Sequence, residues 1–384
     1  MKLCIVTAIV AKGNGQGRVN YEVTWEALRR GHHVTLIASS IAPDLHQHPH
    51  IRWIPITVNH LSSALLKEMA FAYQSAHWIK QNRVEFDLIK VNGAITSVSS
   101  DINAVHFMHH AWLKSKFHPA RSSQKLYGFY HWVYAKLNAH WEKQALHKTK
   151  IIIAVSEKVK QEIIEMGIPE ESIQVILNGA DIDEFHPEYT DRQLLGLPND
   201  VSLALFAGDT RTARKNLDTV LNALVQVPNL HLIVAAGVEN SPYPELAKRL
   251  KIDQRVHFIG YRRDIHKLMQ AVDLFVFPSR YEACTLVLLE AMASGLPVVT
   301  AKTTGGCEIV TAECGIVLPD PDDANHLAQV LIELESNTEK LRQMGRAARK
   351  VAEQYSWQRQ ARAYIDCFEH KAATNQLICD TEKV

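Results

Sequence analysis

Short apolar runs recur along the chain, each closed by glycine, proline or small polar residues and most followed by a longer amphipathic stretch. Residues 2–10, 33–38, 51–56, 87–91, 104–108, 150–155 and 173–177 read as buried strands. Residues 19–30, 61–81, 124–146 and 157–166 read as helices, the last capped by Ser156. The stretch 187–200 is polar with two prolines and reads as a linker. The pattern then restarts. Strands are predicted at 202–207, 231–236, 256–260, 274–277, after Pro297 and at 315–319. Helices are predicted at 217–225, from Leu286 to Gly295, at 322–334 and at 339–355. Continuous apolar strands alternating with helices predict an α/β chain of two doubly wound domains with parallel sheets.

Composition fits this picture. The 384 residues are enough for two domains that each bury a core, and 47% hydrophobic with 22% charged residues is an ordinary globular balance. Net charge is 42 − 41 = +1, so no global field draws nucleic acid, and no nucleic-acid partner is expected. No apolar run approaches the ~18 residues of a membrane span. The opening stretch reads as a strand rather than a signal peptide, because no small-residue cleavage site follows it. The six cysteines form no Cys-x2-Cys pair, which suggests reduced thiols in a cytoplasmic protein. The twenty histidines form no recognisable ligand set, so no metal site is expected.

One segment departs from this balance. Residues 112–150 carry Lys114, Lys116, Arg121, Lys125, Lys136, Lys143, Lys148 and Lys150 against a single acid, Glu142, with aromatic residues interleaved. The first part reads as a loop. A core helix with a solvated basic face is the preferred reading of the rest; a peripheral contact with an anionic membrane is the functional alternative.

Candidate chemistry concentrates in three places. Gly13-Asn-Gly15-Gln-Gly17 joins the first strand to the first helix, where glycine amides can approach a phosphate. Its spacing is not Gly-x-Gly-x-x-Gly, and the next strand ends Ala38-Ser39-Ser40 without an acidic residue, so a dinucleotide site is not expected. Gly208-Asp209-Thr210-Arg211-Thr212-Ala213-Arg214-Lys215-Asn216 is a cationic turn at a helix start, suited to a diphosphate. Finally, Phe277 to Val299 reads as strand, loop, helix, strand. Glu282 lies on the loop, Thr285 at the helix start and Glu290 within an apolar helix, with seven residues between the two glutamates. A carboxylate in such apolar company needs partners or a wet cleft.

This last stretch resembles the Glu-x7-Glu signature of retaining glycosyltransferases of the GT-B fold, specifically glycosyltransferase family 4. Thr303-Thr304-Gly305-Gly306-Cys307-Glu308-Ile309-Val310, the segment 178–187 and Ser356-Trp357 resemble the same family. The resemblance implies two Rossmann-like domains facing a cleft. Residues 1–186 form the acceptor side, joined by a terminal helix 358–384 that crosses back, with the tail after Ala372 frayed. Residues 187–357 bind the nucleotide sugar. It implies that Glu282 meets the donor sugar and Glu290 the ribose, with main-chain contacts from Cys284, Thr285 and Leu286. Gly15, Gly17 and Gly208 border the phosphates, and glycine amides at 305–306 approach the donor. His109, or alternatively His110, sits at a strand end near the sugar. Lys215 matches the lysine that neutralises the leaving diphosphate. Asp209 stands where the family usually has Arg; Arg211 is the preferred replacement and Arg214 the alternative.

The function so implied is metal-independent, retaining transfer from a nucleotide sugar, UDP- or GDP-linked, to a glycan, lipid-linked or small-molecule acceptor. The donor is a co-substrate, and no cofactor is expected. The protein would be cytoplasmic, with a possible place at the inner face of the membrane. A non-catalytic scaffold of the same fold and a sugar-nucleotide epimerase are the rival readings, Asp209 being the feature that sustains the first.

Overall fold

In the computed structural model, which describes residues 1–122 and 125–381, strands form where apolar runs let both faces be covered by helices. Two compact units result. One comprises Met1–Asn178 with the segment that begins at Trp357; the other is Gly179–Ser356.

The first unit holds seven parallel strands in the order Ile51–Pro55, His33–Ala38, Lys2–Val6, Leu88–Asn92, Ile102–Val105, Ile151–Ala154, Ile173–Val175. The strand order reverses between Lys2–Val6 and Leu88–Asn92, the switch point beside which such sheets take ligands. The first strand is shorter than its apolar run predicts. It ends at Val6, and Ile9–Val10 pairs separately with Ser40–Ile41, next to the bond from the Ser39 amide to the Ala8 carbonyl. The first helix starts at Gly15, not at Val19, because Asn14 caps it: its side chain accepts from the Gly17 amide at 2.8 Å.

The chain's last helix, Trp357–Thr381, belongs to this unit and packs on Gly15–Arg29. Tyr364 and Phe368 are fully buried, Arg30 pairs with Asp366 (2.7 Å) and Glu369 (2.8 Å), and the Arg18 guanidinium lies over the Trp357 ring at 5.4 Å. The expected frayed tail is helical from Ala372 to Thr381; residues 382–384 lie outside the described residues. The stretch expected as a loop after Trp112 is instead two short helices, His109–Lys114 and Pro119–Ser122. The long helix then runs Lys125–His147; Gln124, its expected first residue, lies outside the described residues.

Lys90 sits fully buried in the strand Leu88–Asn92 and donates to Asn92 Oδ1 (2.7 Å) and to Asn20 Oδ1. With no carboxylate among these partners, burial pulls its pKa from 10.5 down to about 7. Between those values the unfolded chain binds a proton that folded Lys90 lacks, so stability rises with pH across the window and falls as pH drops towards 7. Urea unfolding of the wild type is expected to gain up to about 1.4 kcal/mol per pH unit through this window relative to Lys90→Met. Parallel pH profiles for the two proteins would remove Lys90 as the cause.

The second unit holds six parallel strands in the order Val256–Phe258, Leu230–Ala235, Ser202–Ala207, Leu274–Phe277, Val298–Ala301, Gly315–Leu318. Its switch point falls between Ser202–Ala207 and Leu274–Phe277. Residues 179–186 group here rather than with the first unit. The Ala180 amide bonds the Tyr355 carbonyl, and Arg349 reaches the carbonyls of Ile182, Phe185 and Ala293. Helices Tyr243–Arg249 and Ile265–Ala271 are additional to those the periodicity predicts.

Candidate active site

Three loops meet at the carboxyl ends of the second unit's central strands. The first follows Ser202–Ala207 and turns at Asn216, whose left-handed backbone (φ 66°) lets its side-chain amide bridge the carbonyls of Pro278 (2.9 Å) and Pro321 (2.6 Å). The second follows Leu274–Phe277. Its Ser279 hydroxyl and Arg280 amide both donate to the Arg214 carbonyl, at 3.0 and 2.9 Å. The Arg280 side chain reaches Asp218 (2.6 Å), Asp322 (2.6 Å) and the Ala213 carbonyl (2.7 Å). The third loop, after Val298–Ala301, pairs with the second. Glu282 N donates to Thr303 O (3.3 Å), Gly305 N to Glu282 O (3.0 Å) and Thr285 N to Gly305 O (3.1 Å). A Cβ on Gly305 would stand 1.8 Å from the Ala283 carbonyl oxygen, so only glycine allows this approach.

This scaffold brings Lys215 and Glu282, distant in sequence, into an ion pair, Nζ to Oε1, with Arg214 3.7 Å from the same oxygen. The two paired side chains are only 14% and 11% exposed, and the ammonium stands 5.3 Å over the Phe277 ring. Burial lowers the Lys215 pKa, and Glu282 opposes that shift. A Cβ on Gly208 would lie 3.1 Å from Phe277, so the backbone here runs close to the strand below.

The arginines divide differently from the sequence preference. Arg211 is exposed and held by its own loop: Asp209 accepts from its Nε (2.9 Å), its terminal nitrogen (3.1 Å) and its amide (3.0 Å). Arg214 is the arginine beside Lys215 and Glu282. Some expected main-chain donors are already engaged. Thr285 is at the N-cap of Leu286–Ala293 but makes no side-chain cap bond, and its amide is taken by Gly305. The Gly306 amide donates to Glu308 (2.9 Å) and the Gly305 amide to Glu282, so this glycine pair is spent on its own loops. Amides in the first turn of the helix from Leu286 lack intrahelical acceptors by construction. Cys284 and Glu290 are half-buried, Glu290 on that helix.

In the first unit, Gly15 opens the first helix and the Gly17 amide is occupied by Asn14. His109 heads the helix His109–Lys114 rather than ending a strand. Its amide and that of His110 donate to the two oxygens of Glu142, each at 3.2 Å. Glu142 is nearly fully buried, which pushes its pKa up to about 7. The His109 ring packs on Phe107 and Tyr134, and burial pushes its pKa down to about 4, so the imidazole is neutral at physiological pH. The signal that could have found Glu142 was its being the single acid in a basic stretch. Arg280 carried no such signal. Among the described residues no cluster of three or more His, Cys, Asp or Glu suits a metal ion.

Two family models match in tandem: Glycosyltransferase Family 4 over residues 13–184 and Glycosyl transferases group 1 over residues 188–351. The chain belongs to glycosyltransferase family 4. It is similar to the N-acetyl-alpha-D-glucosaminyl L-malate synthase of Bacillus anthracis, 25% identical over 92% of this chain and 93% of that one. The first curated relatives it matches are covered over only about half of their own length. The fold is GT-B. The sucrose-phosphate synthase of Thermosynechococcus elongatus superposes with TM-score 0.80 at 19% identity, over 97% of this chain and 99% of that one. Anabaena Alr3699/HepE, solved with UDP and glucose, superposes with TM-score 0.71 at 21% identity, over 96% and 100%.

Proposed function

We propose that the protein transfers a sugar from a nucleotide diphosphate donor, UDP-linked, to an acceptor hydroxyl with retention of anomeric configuration and without a metal ion. The observation that carries this reading is the buried Lys215–Glu282 pair with Arg214 beside it, at the switch point of the second sheet. An ammonium has three donors, so Lys215 can hold Glu282 and a diphosphate oxygen together. UDP in the Alr3699/HepE structure supports the choice of base.

In the reaction, the acceptor oxygen bonds to the anomeric carbon. The bond from that carbon to the diphosphate oxygen breaks, and its electron pair leaves with the diphosphate. The acceptor proton passes to the departing phosphate on the same face. Lys215, Arg214 and the helix-start amides stabilise the departing charge. Glu282 orients the sugar hydroxyls, Glu290 the ribose, and neutral His109 offers a hydrogen bond on the acceptor side.

Exposed Leu126, Tyr127, Phe129 and Trp132, with exposed Lys114, Lys116, Arg121, Lys136, Lys143 and Lys148, support a peripheral contact with an anionic membrane. No described helix is long and apolar enough to cross one.

A thermal-shift panel of UDP-, GDP- and ADP-glucose tests the donor site. At a hundredfold excess over Kd, a ligand that binds only the folded state adds about 2.7 kcal/mol. UDP-glucose is expected to raise the melting temperature of the wild type and not of Glu290→Ala. No shift with any donor would overturn the reading.

A further inference from the structure

A cavity of about 700 Å³ opens in the first unit beside the carboxyl ends of its central strands. That volume is within the ~300–1,000 Å³ of small-molecule sites. Its walls are largely apolar, with Val58, Phe71, Ile95, Val98, Phe107 and Trp141 among them, and His109 also lines it. Three of its lining residues carry buried polar atoms with no partner among the described residues: Asn92 Nδ2, Thr96 Oγ1 and His106 Nε2. Asn92 shows how such a group arises. Its carbonyl oxygen is taken by Lys90 from behind, which leaves the amide nitrogen as the unmatched end. A buried polar group without a partner is costly to fold around, and a ligand hydroxyl in reach recovers that cost.

The charges on the lining restrict the ligand further. Lys148 is exposed and Lys67 half-buried, whereas the one charged lining side chain among the described residues that is nearly fully withdrawn from water is a carboxylate, Glu142. A compact anion seated deep here would meet that carboxyl, and the buried Lys90 beyond Asn92 is already held by Asn92 and Asn20 with burial drawing its pKa down. An apolar body with a hydroxylated end matches both the walls and the polar residues set among them.

We propose that this cavity binds the acceptor, and that the acceptor is a hydroxyl-bearing molecule with an alkyl or aryl body rather than a small anion. This rests on the transferase reading above for the word acceptor, and on the cavity alone for the ligand's chemistry.

The probes are n-octyl β-D-glucoside below its micellar concentration, with glucose and L-malate as comparisons, followed by tryptophan fluorescence and calorimetry without donor. Octyl glucoside is expected to bind at least tenfold tighter than glucose or malate. Ala72→Trp, which fills the cavity from the helix Ala64–Asn82, is expected to weaken it tenfold or more and to leave the UDP-glucose melting shift unchanged. Thr96→Val removes a hydroxyl that has no partner among the described residues, so it leaves the fold intact and is expected to weaken octyl glucoside by about two- to tenfold. Malate binding as tightly as octyl glucoside, or octyl glucoside binding untouched by both variants, would overturn the proposal. A missing UDP-glucose shift beside intact, cavity-dependent binding of octyl glucoside would sink the transferase reading and leave the cavity's ligand class standing.

Discussion

Lys215→Met is expected to lower turnover by about a hundred- to a thousandfold, the cost of removing one preorganised charge from a water-poor site. The geometry says why the loss exceeds that of a surface lysine. Lys215 is nearly buried, and its ammonium meets the carboxylate of Glu282. With Lys215 gone, the cation left beside Glu282 among the described residues is Arg214, 3.7 Å away. In the proposed reaction the departing diphosphate would lose a cation, and Glu282 would lose the partner that fixes it. Glu282→Gln is expected to lose a comparable factor, because the ammonium is left in a buried place with a neutral amide. The double variant should cost little more than either single one, since each acts through the other. Turnover of UDP-glucose to UDP, measured for all four proteins at saturating donor, gives the cycle. Full additivity would mean that the pair does not act as a unit. Turnover within threefold of wild type in either single variant would remove the pair from the reaction.

Gly305→Ala carries the second large effect, and it appears in stability before activity. The added Cβ would lie 1.8 Å from the Ala283 carbonyl oxygen, 2.4 Å from its carbon and 2.9 Å from the Glu282 carbonyl oxygen. All three are backbone atoms, so no side-chain rotation relieves the clash. The second and third loops must part, which breaks the Gly305-to-Glu282 and Thr285-to-Gly305 hydrogen bonds. A loss of about 3–5 kcal/mol is expected, the scale of overpacking combined with a broken buried network. Gly237→Ala is the control in the same unit. Its nearest heavy atom is the end of the Glu239 side chain at 3.7 Å, and a change within about 0.5 kcal/mol is expected there. Urea denaturation followed by circular dichroism compares the two. Equal midpoints would show that the loops yield without cost.

The sequence already displays the strands and the Glu282–Glu290 segment, because both are local signals. An apolar run bounded by glycine or proline states its own burial, and His33–Ala38, Ser202–Ala207 and Leu274–Phe277 fall where their runs place them. What the sequence hides is partnership at a distance. Arg280 looks like any polar residue after a strand, yet Asp218 and Asp322 hold it in a nearly closed pocket. Arg211 and Arg214 are equivalent as letters. Only the turn at Asn216 and the hold of Asp209 on Arg211 separate them. Glycine presents the same ambiguity: Gly17 and Gly305 could each have offered an amide to a phosphate, and each is engaged within the protein. Helices Tyr243–Arg249 and Ile265–Ala271 are too short for a periodic pattern to separate them from turns.

The interleaving of the two units also sets an order of assembly on the ribosome. The second unit is continuous in the chain and has all its parts as soon as residue 356 is free. The first is not: its opening 178 residues must wait for the helix that begins at Trp357. At about 5–20 residues per second, the roughly 180 residues between delay that helix by about 9–36 s. Until it arrives, the face of Gly15–Arg29 on which that helix packs is uncovered. Nascent chains therefore present an apolar surface that the finished protein does not have.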